Sequence, residues 1–160
     1  MAFKIDTLSF RKALSAYATG VTVITTLDAV GQKVGMTASS FTSLSLDPPL
    51  ILWNIDKNTG CFDAFYTCKH FAVHVLQKHQ ADVSEHFAGR GFDKFDTIAS
   101  EDGLNGVPLL TDYAARFQCA TEHRYEGGDH VILVGRVLEM TEKPSQPLIF
   151  CNGRYTSLKE

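Results

Sequence analysis

Six histidines and four cysteines carry the most immediate chemistry in these 160 residues. To hold a metal they must converge. His70 and His74 are four apart in a stretch that alternates as a strand does, and four strand residues separate two side chains by ~13 Å, too far to share one ion. No His-Glu-x-x-His pair occurs, and Cys61, Cys68, Cys119 and Cys151 form no Cys-x-x-Cys, so no metal is expected. There is no Gly-x-Ser-x-Gly elbow for an activated serine, no Gly-x-Gly-x-x-Gly and no lysine-bearing phosphate loop. What remains is residues 35–50, Gly-Met-Thr-Ala-Ser-Ser-Phe-Thr-Ser-Leu-Ser-Leu-Asp-Pro-Pro-Leu. Small hydroxylated residues at this density let main-chain N–H groups approach a planar polar ligand, while their hydroxyls bond a phosphate or ring carbonyls. The same composition equally suits a Ser/Thr-rich edge strand and turn.

The elements that must position these residues follow from periodicity. Phe10, Ala13, Leu14, Tyr17 and Ala18 have helical spacing over residues 7–18, with Asp6 or Thr7 as N-cap and Thr19-Gly20 as the stop. Residues 21–26 form a β-branched run that predicts a half-buried strand. After the Asp47-Pro48-Pro49 break, residues 50–55 form a second strand, residues 62–66 a short helix, residues 71–76 a third strand and residues 80–88 another helix. Residues 89–95, Gly-Arg-Gly-Phe-Asp-Lys-Phe, are a glycine-punctuated loop that reads either as a lid or as a surface connection. Residues 107–110 lead into 115–125, where Phe117, Cys119, Thr121 and His123 share one face, and Gly127-Gly128 turns the chain into a strand over 131–140. Residues 148–151 offer a last strand. Six or more short strands with three brief helices predict a mainly β fold, an antiparallel barrel or sandwich, because parallel strands need a crossover helix between each pair.

Length and charge bound the function. A single domain over residues 1–160, at 17.7 kDa, should bury its core beneath roughly 8,000 Å² of folded surface. It leaves no room for a dinucleotide-binding domain plus a substrate domain. With 15 basic against 18 acidic residues and a net charge of −3, the chain has no basic stripe for nucleic acid. No apolar run approaches the ~18 residues of a membrane span, and the N-terminus lacks a signal core, which predicts a cytoplasmic protein with reduced, mostly buried cysteines.

In family order, the stretches 18–26, 35–50, 71–76, Gly128-Asp129-His130 with the strand ending Gly135-Arg136-Val137, and the tail around 148–155 resemble the short flavin reductases. These have an FMN-binding split β-barrel and serve as reductase components of two-component flavin monooxygenases. The resemblance implies an NAD(P)H:flavin oxidoreductase that passes hydride from NADH or NADPH to FMN or FAD, supplies reduced flavin to a partner monooxygenase and works as a homodimer. It implies that Met36, Thr37, Ala38, Ser39 and Ser40 line the flavin ring and ribityl chain. Asn54, Ile55, Asp56, Lys57 and Thr59 then follow the ribityl phosphate. The family pattern has a serine and a threonine two apart after the lysine, whereas this chain has Thr59 and Cys61, which leaves the second hydroxyl contact open. Phe87 and Ala88 match a segment that touches the flavin, and Lys94 either reaches phosphate or is a solvated loop charge. His130, the one candidate catalytic residue, is placed beside the nicotinamide; hydride transfer needs no general base, so its role is binding and orientation. Asn152, Gly153, Arg154 and Tyr155 match the segment that closes over the dinucleotide, with Tyr155 also readable as a buried aromatic of the last strand. Two other functions fit the sequence: a flavin-binding sensor or store of the same barrel without turnover, and a small-ligand-binding barrel without redox chemistry.

Overall fold

The computed structural model describes residues 4–91 and 93–159. Helix α1 (Thr7–Ser15) begins where the Asp6 carboxylate accepts the Ser9 N–H at 2.8 Å, a bond that holds the Asp6 pKa below its ordinary value. It ends three residues earlier than its periodicity predicts. Thr19 and Gly20 form β1 (Thr19–Gly20), paired with β11 (Ile149–Cys151), so the chain must leave the helix to reach that ladder. The apolar stripe of α1 contributes no buried residue: Leu8 is 76% exposed and Leu14 57%.

The main sheet has seven antiparallel strands. In chain order they are β2 (Thr22–Leu27), β3 (Lys33–Ala38), β4 (Thr42–Leu46), β5 (Pro49–Asp56), β6 (His70–Val75), β9 (Ala115–Gly127) and β10 (His130–Glu142), arranged in space as β3-β2-β6-β9-β10-β5-β4. Strands β7 (Ser100–Asp102) and β8 (Pro108–Leu110) make a small hairpin, and β12 (Arg154–Thr156) joins β1 and β11 in a three-stranded sheet. Helices α2 (Phe62–Thr67) and α3 (Ala81–Ala88) complete the elements that hold the site. The sheet is open between its edge strands β3 and β4, which makes it an antiparallel split barrel of mainly β structure, as the sequence predicts.

Strand β5 has the period-two pattern of a sheet with one dry face: Ile51, Trp53 and Ile55 are buried while their neighbours are half-exposed. Trp53 meets Phe65 and Phe71 edge-on, at 5.1 and 6.1 Å between ring centres. Strand β2 differs from the half-buried strand its β-branching predicts, because it is buried on both faces. Ile24 joins the Trp53 cluster, whereas Val21 and Val23 join a second cluster with Leu76, Phe87, Leu110 and Leu148. Its threonines tolerate burial by hydrogen-bonding carbonyls, Thr22 to Ala38, Thr25 to Pro108 and Thr26 to His70. In β9 the shared face expected for Phe117, Cys119, Thr121 and His123 is interrupted. Val134 pairs with His123 and Gly135 with Thr121, so Glu122 is an extra residue and the alternation restarts after it.

All four cysteines are free; Cys68 and Cys119 are buried, while Cys61 and Cys151 are half-buried. His74 lies in the dry interior with both ring nitrogens engaged, Nδ1 donating to the Val23 carbonyl and Nε2 accepting the Leu110 N–H, each at 3.0 Å. No described helix is long and apolar enough to cross a membrane.

Candidate functional site

A cleft of about 730 Å³ opens where the sheet fails to close. That is within the range of small-molecule sites. Its floor is β3 from Lys33 to Thr37; one wall is the turn after β5, with Asp56, Asn58, Thr59, Gly60 and Cys61. The opposite wall is the end of α3 and the loop beyond it, with Phe87, Ala88, Gly89, Arg90, Gly91 and Lys94.

The floor and the α3 wall meet closely for a packing reason. A Cβ on Gly35 would lie 2.6 Å from the Phe87 ring, which is itself fully buried, so only glycine lets α3 approach the strand. Thr37, two residues on and so on the same face of the strand, donates its hydroxyl to the Ser84 carbonyl at 2.6 Å and fixes β3 to α3. Met36 meets Cys61 across the cleft, with their sulfurs 3.9 Å apart. Burial pushes the Cys61 thiol pKa up, so this wall presents a neutral thiol where the family pattern has a hydroxyl.

The turn after β5 is shaped by Asp56, whose carboxylate accepts the Asn58 N–H at 2.8 Å. The N–H groups of Gly60 and Cys61 meet no acceptor among the described residues, which leaves two main-chain donors available on this wall. Lys94 is half-buried, its ammonium donating to the Phe87 carbonyl at 2.8 Å and the Gly35 carbonyl at 3.2 Å. Desolvation lowers its pKa. The glycine loop therefore behaves as a strap: His86 Nε2 bonds the Lys94 carbonyl at 2.6 Å, and the Lys94 side chain closes on the floor.

Of the residues the resemblance implicates, Met36, Thr37, Asp56, Thr59, Phe87, Ala88 and Lys94 line this cleft. Ala38 and Ile55 are buried in the core beneath it, and Ser39 is exposed on the link after β3. Ser40 clamps the barrel: its hydroxyl accepts the Asn54 N–H at 2.9 Å and donates to the Asn54 carbonyl at 3.1 Å. The Asn54 side-chain oxygen is buried without a partner among the described residues. Lys57 leaves the cleft to pair with Glu126.

His130 stands beside the cleft and is positioned by a ladder. It pairs in register with Asp56, and the Asp129 carbonyl accepts the Lys57 N–H at 3.0 Å. Its Nδ1 is 2.7 Å from the Asp129 carboxylate, a bond that holds the Asp129 pKa below the usual carboxylate value and orients the ring with Nε2 unpartnered among the described residues. Residues 152–155 lie elsewhere. Asn152 and Gly153, at φ 50° and 74°, form the tight turn between β11 and β12, a strand the sequence reading did not anticipate. The Asn152 N–H bonds the Ser15 carbonyl, Arg154 is exposed, and Tyr155 packs beside Phe150 with its hydroxyl 2.8 Å from Ser84 Oγ. They touch the cleft through α3 and do not line it.

Lys33, Val34, Gly35, Asn58, Gly60, Cys61, Gly89, Arg90 and Gly91 line the cleft without having been singled out as site residues. The glycine inside a β-run was the available signal for Gly35, and the glycine-flanked arginine for Arg90. A cleft of this volume, with apolar walls, unpartnered N–H donors and three cations in its lining, suits an aromatic group bearing phosphate, so the residues present fit a flavin nucleotide.

Comparison with known proteins agrees. The family model described as flavin reductase like domain matches residues 14–159. The chain is 42% identical over 149 residues to FMN reductase (NADH) SmoA of Agrobacterium fabrum, covering 92% of this chain and 83% of that protein. It is 38% identical to the flavin-dependent monooxygenase reductase subunit HsaB of Rhodococcus jostii, covering 97% and 80%. The solved structure of Streptomyces globisporus NADH:FAD oxidoreductase SgcE6 superposes with a TM-score of 0.91 at 36% identity, covering 99% of this chain and 98% of that one. Other curated relatives are about twice as long, the chain spanning 48% of one of them. With the family model matched over almost the whole length and a relative at 42% identity, the chain belongs to the flavin reductase like family.

Proposed function

We propose that this chain is an NAD(P)H:flavin oxidoreductase that supplies reduced flavin to a partner monooxygenase. The observation that carries the reading is the cleft itself: β3 and α3 drawn close together at Gly35, unpartnered main-chain donors at Gly60 and Cys61, and His130 one strand away. Relatives named FMN reductase (NADH) and NADH-dependent FAD reductase support it, as do those named monooxygenase reductase subunits. When bound, the flavin supplies the hydride-accepting chemistry and the nicotinamide the hydride. The protein's part is placement. Phe87 and the Gly35 main chain hold one face of the cleft, Lys94 straps the loop over it, and His130, oriented by Asp129, would help to hold and orient the nicotinamide.

The test is anaerobic mixing of the protein with FMN or FAD and either nicotinamide, following loss of the oxidised flavin's visible absorbance. Multiple-turnover reduction is expected; tight flavin retention without turnover would instead identify a store or sensor. His130→Ala should raise KM for the nicotinamide by about tenfold and leave flavin affinity within about twofold, the loss of one hydrogen-bonded contact. Equal loss of both would remove His130 from the nicotinamide.

We also assign a homodimer in the cytoplasm. The accessible surface of one chain is 9887 Å², well above the roughly 8,000 Å² expected of a compact chain of this mass. Part of the excess is the exposed apolar face of α1, with Leu8 76% and Leu14 57% exposed. Sedimentation should report twice 17.7 kDa. A fully active species at the single-chain mass would refute the assignment.

A further inference from the structure

Three cations line the cleft and none of them meets a carboxylate. The Lys33 ammonium donates to the Ser100 hydroxyl at 2.9 Å, that of Lys94 to two carbonyls, and Arg90 has no hydrogen bond or ion pair among the described residues. All five ion pairs among the described residues use other side chains. In a chain with more acids than bases, that arrangement directs a positive field at one cavity. Asp56 is the one acid in the lining, and its carboxylate is engaged by the Asn58 N–H.

The cations are not equivalent in depth. Lys94 is half-buried over Gly35, while Lys33 is exposed two residues along β3, ~7 Å farther out by strand rise, and Arg90 is exposed on the loop wall. Beside Arg90, Gly91 has φ +124° and nothing within 4 Å of the site of a Cβ, so the main chain there is open to close approach. The inner cation and the N–H groups of Gly60 and Cys61 suffice for one phosphate. Lys33 and Arg90 are left over.

We propose that Lys33 and Arg90 form a second phosphate subsite at the mouth of the cleft, which takes the adenylyl phosphate of FAD and makes this chain prefer FAD to FMN. The proposal rests on the flavin reductase reading above. FMN concentrates its charge on one phosphorus, whereas FAD distributes it over two, and only the second of these extends far enough to meet the outer cations. Guanidinium is suited to this because it donates two parallel hydrogen bonds to a phosphate. A nicotinamide 2′-phosphate is the competing source of the same chemistry. Neither Lys33 nor Arg90 bonds the Asp129-His130 turn, however, and both are contiguous with the flavin wall formed by Gly35, Phe87 and Ala88.

The experiment is fluorescence titration of FMN and of FAD, without nicotinamide, into the wild-type protein, Arg90→Ala and Lys33→Ala at low and high salt. The wild type is expected to bind FAD the tighter, and each variant to lose about tenfold in FAD affinity but less than about twofold for FMN. The FAD advantage should shrink as salt screens the exposed pair. Equal losses for both flavins, or no loss for either, would overturn the subsite. So would a rise in KM for NADPH alone in Arg90→Ala with FAD binding intact, which would give the cations to the 2′-phosphate. Wild-type protein that binds neither flavin would refute the reductase reading itself, before any variant is compared.

Discussion

Gly35→Ala is expected to lower flavin affinity by about tenfold or more and to destabilise the fold by ~1–3 kcal/mol, the range for overpacking a tight interior. The new methyl group would stand 2.6 and 2.8 Å from two carbons of Phe87 and 3.3 Å from Phe95. Phe87 cannot yield cheaply. Its ring is fully buried in the cluster of Val21, Val23 and Leu76, with Phe95 edge-on at 5.3 Å and His86 at 5.4 Å. Relief must come from α3 moving off β3, which would break the Thr37 bond to Ser84 and the Lys94 bond that straps the loop. Both losses fall on walls of the cleft. Flavin titration beside a thermal melt checks this: a variant with wild-type affinity would show that the close approach of α3 is not what shapes the floor. A melt lowered by several degrees with unchanged binding would separate packing from recognition.

The second large effect is on acid stability, through His74. In the folded protein its neutral form is fully satisfied, with the Nδ1 proton on the Val23 carbonyl and the Nε2 lone pair on the Leu110 N–H. A second proton would face that N–H directly. Burial is the main cause, with the nearby Arg116 charge adding to it, of a pKa lowered from 6.5 to about 4. Because the folded pKa lies below the unfolded one, the neutral histidine's stabilisation is complete above about pH 6.5. It declines as the unfolded chain takes up a proton that the folded chain refuses, until about pH 4. The total is ~3 kcal/mol at 1.36 kcal/mol per pH unit, a large share of a typical margin. Urea unfolding between pH 7 and pH 4 should show this loss. His74→Leu, which leaves the Leu110 N–H and Val23 carbonyl unpaired, should be less stable by ~2–4 kcal/mol at neutral pH yet show a flatter profile across the window. An unchanged slope in the variant would assign the acid lability to other groups.

The elements that depend on local periodicity were legible in the chain. The alternation in β5, the β-branching of β2 and the Gly127-Gly128 turn each specify structure within a few residues, and the helices before and after β6 follow from short apolar spacings. What escaped was set by partners distant in sequence. Nothing near residue 16 says that α1 must stop there; the reason is 130 residues away, in the ladder between Thr19 and Phe150. Strand β12 was hidden for the same reason, since three residues carry no period. The site shows the same division. Residues 36 and 37 stand out by composition, whereas Lys33 and Arg90 become neighbours of one cleft only after the sheet has curled. Ser40 shows the converse: its hydroxyl suggested a ligand contact, and it is occupied in holding Asn54.

Ser84 is 1% exposed and joins three parts of the molecule, its carbonyl receiving Thr37 from the cleft floor and its hydroxyl meeting Tyr155 of β12. On a ribosome this imposes an order. The floor, both walls and the strap are all made before residue 96, but the tyrosine that holds the helix behind them arrives about sixty residues later, with the ladder that anchors β1. A nascent chain therefore carries every cleft-lining residue for several seconds at ordinary synthesis rates before the Tyr155 contact that ties α3 to β12 can form.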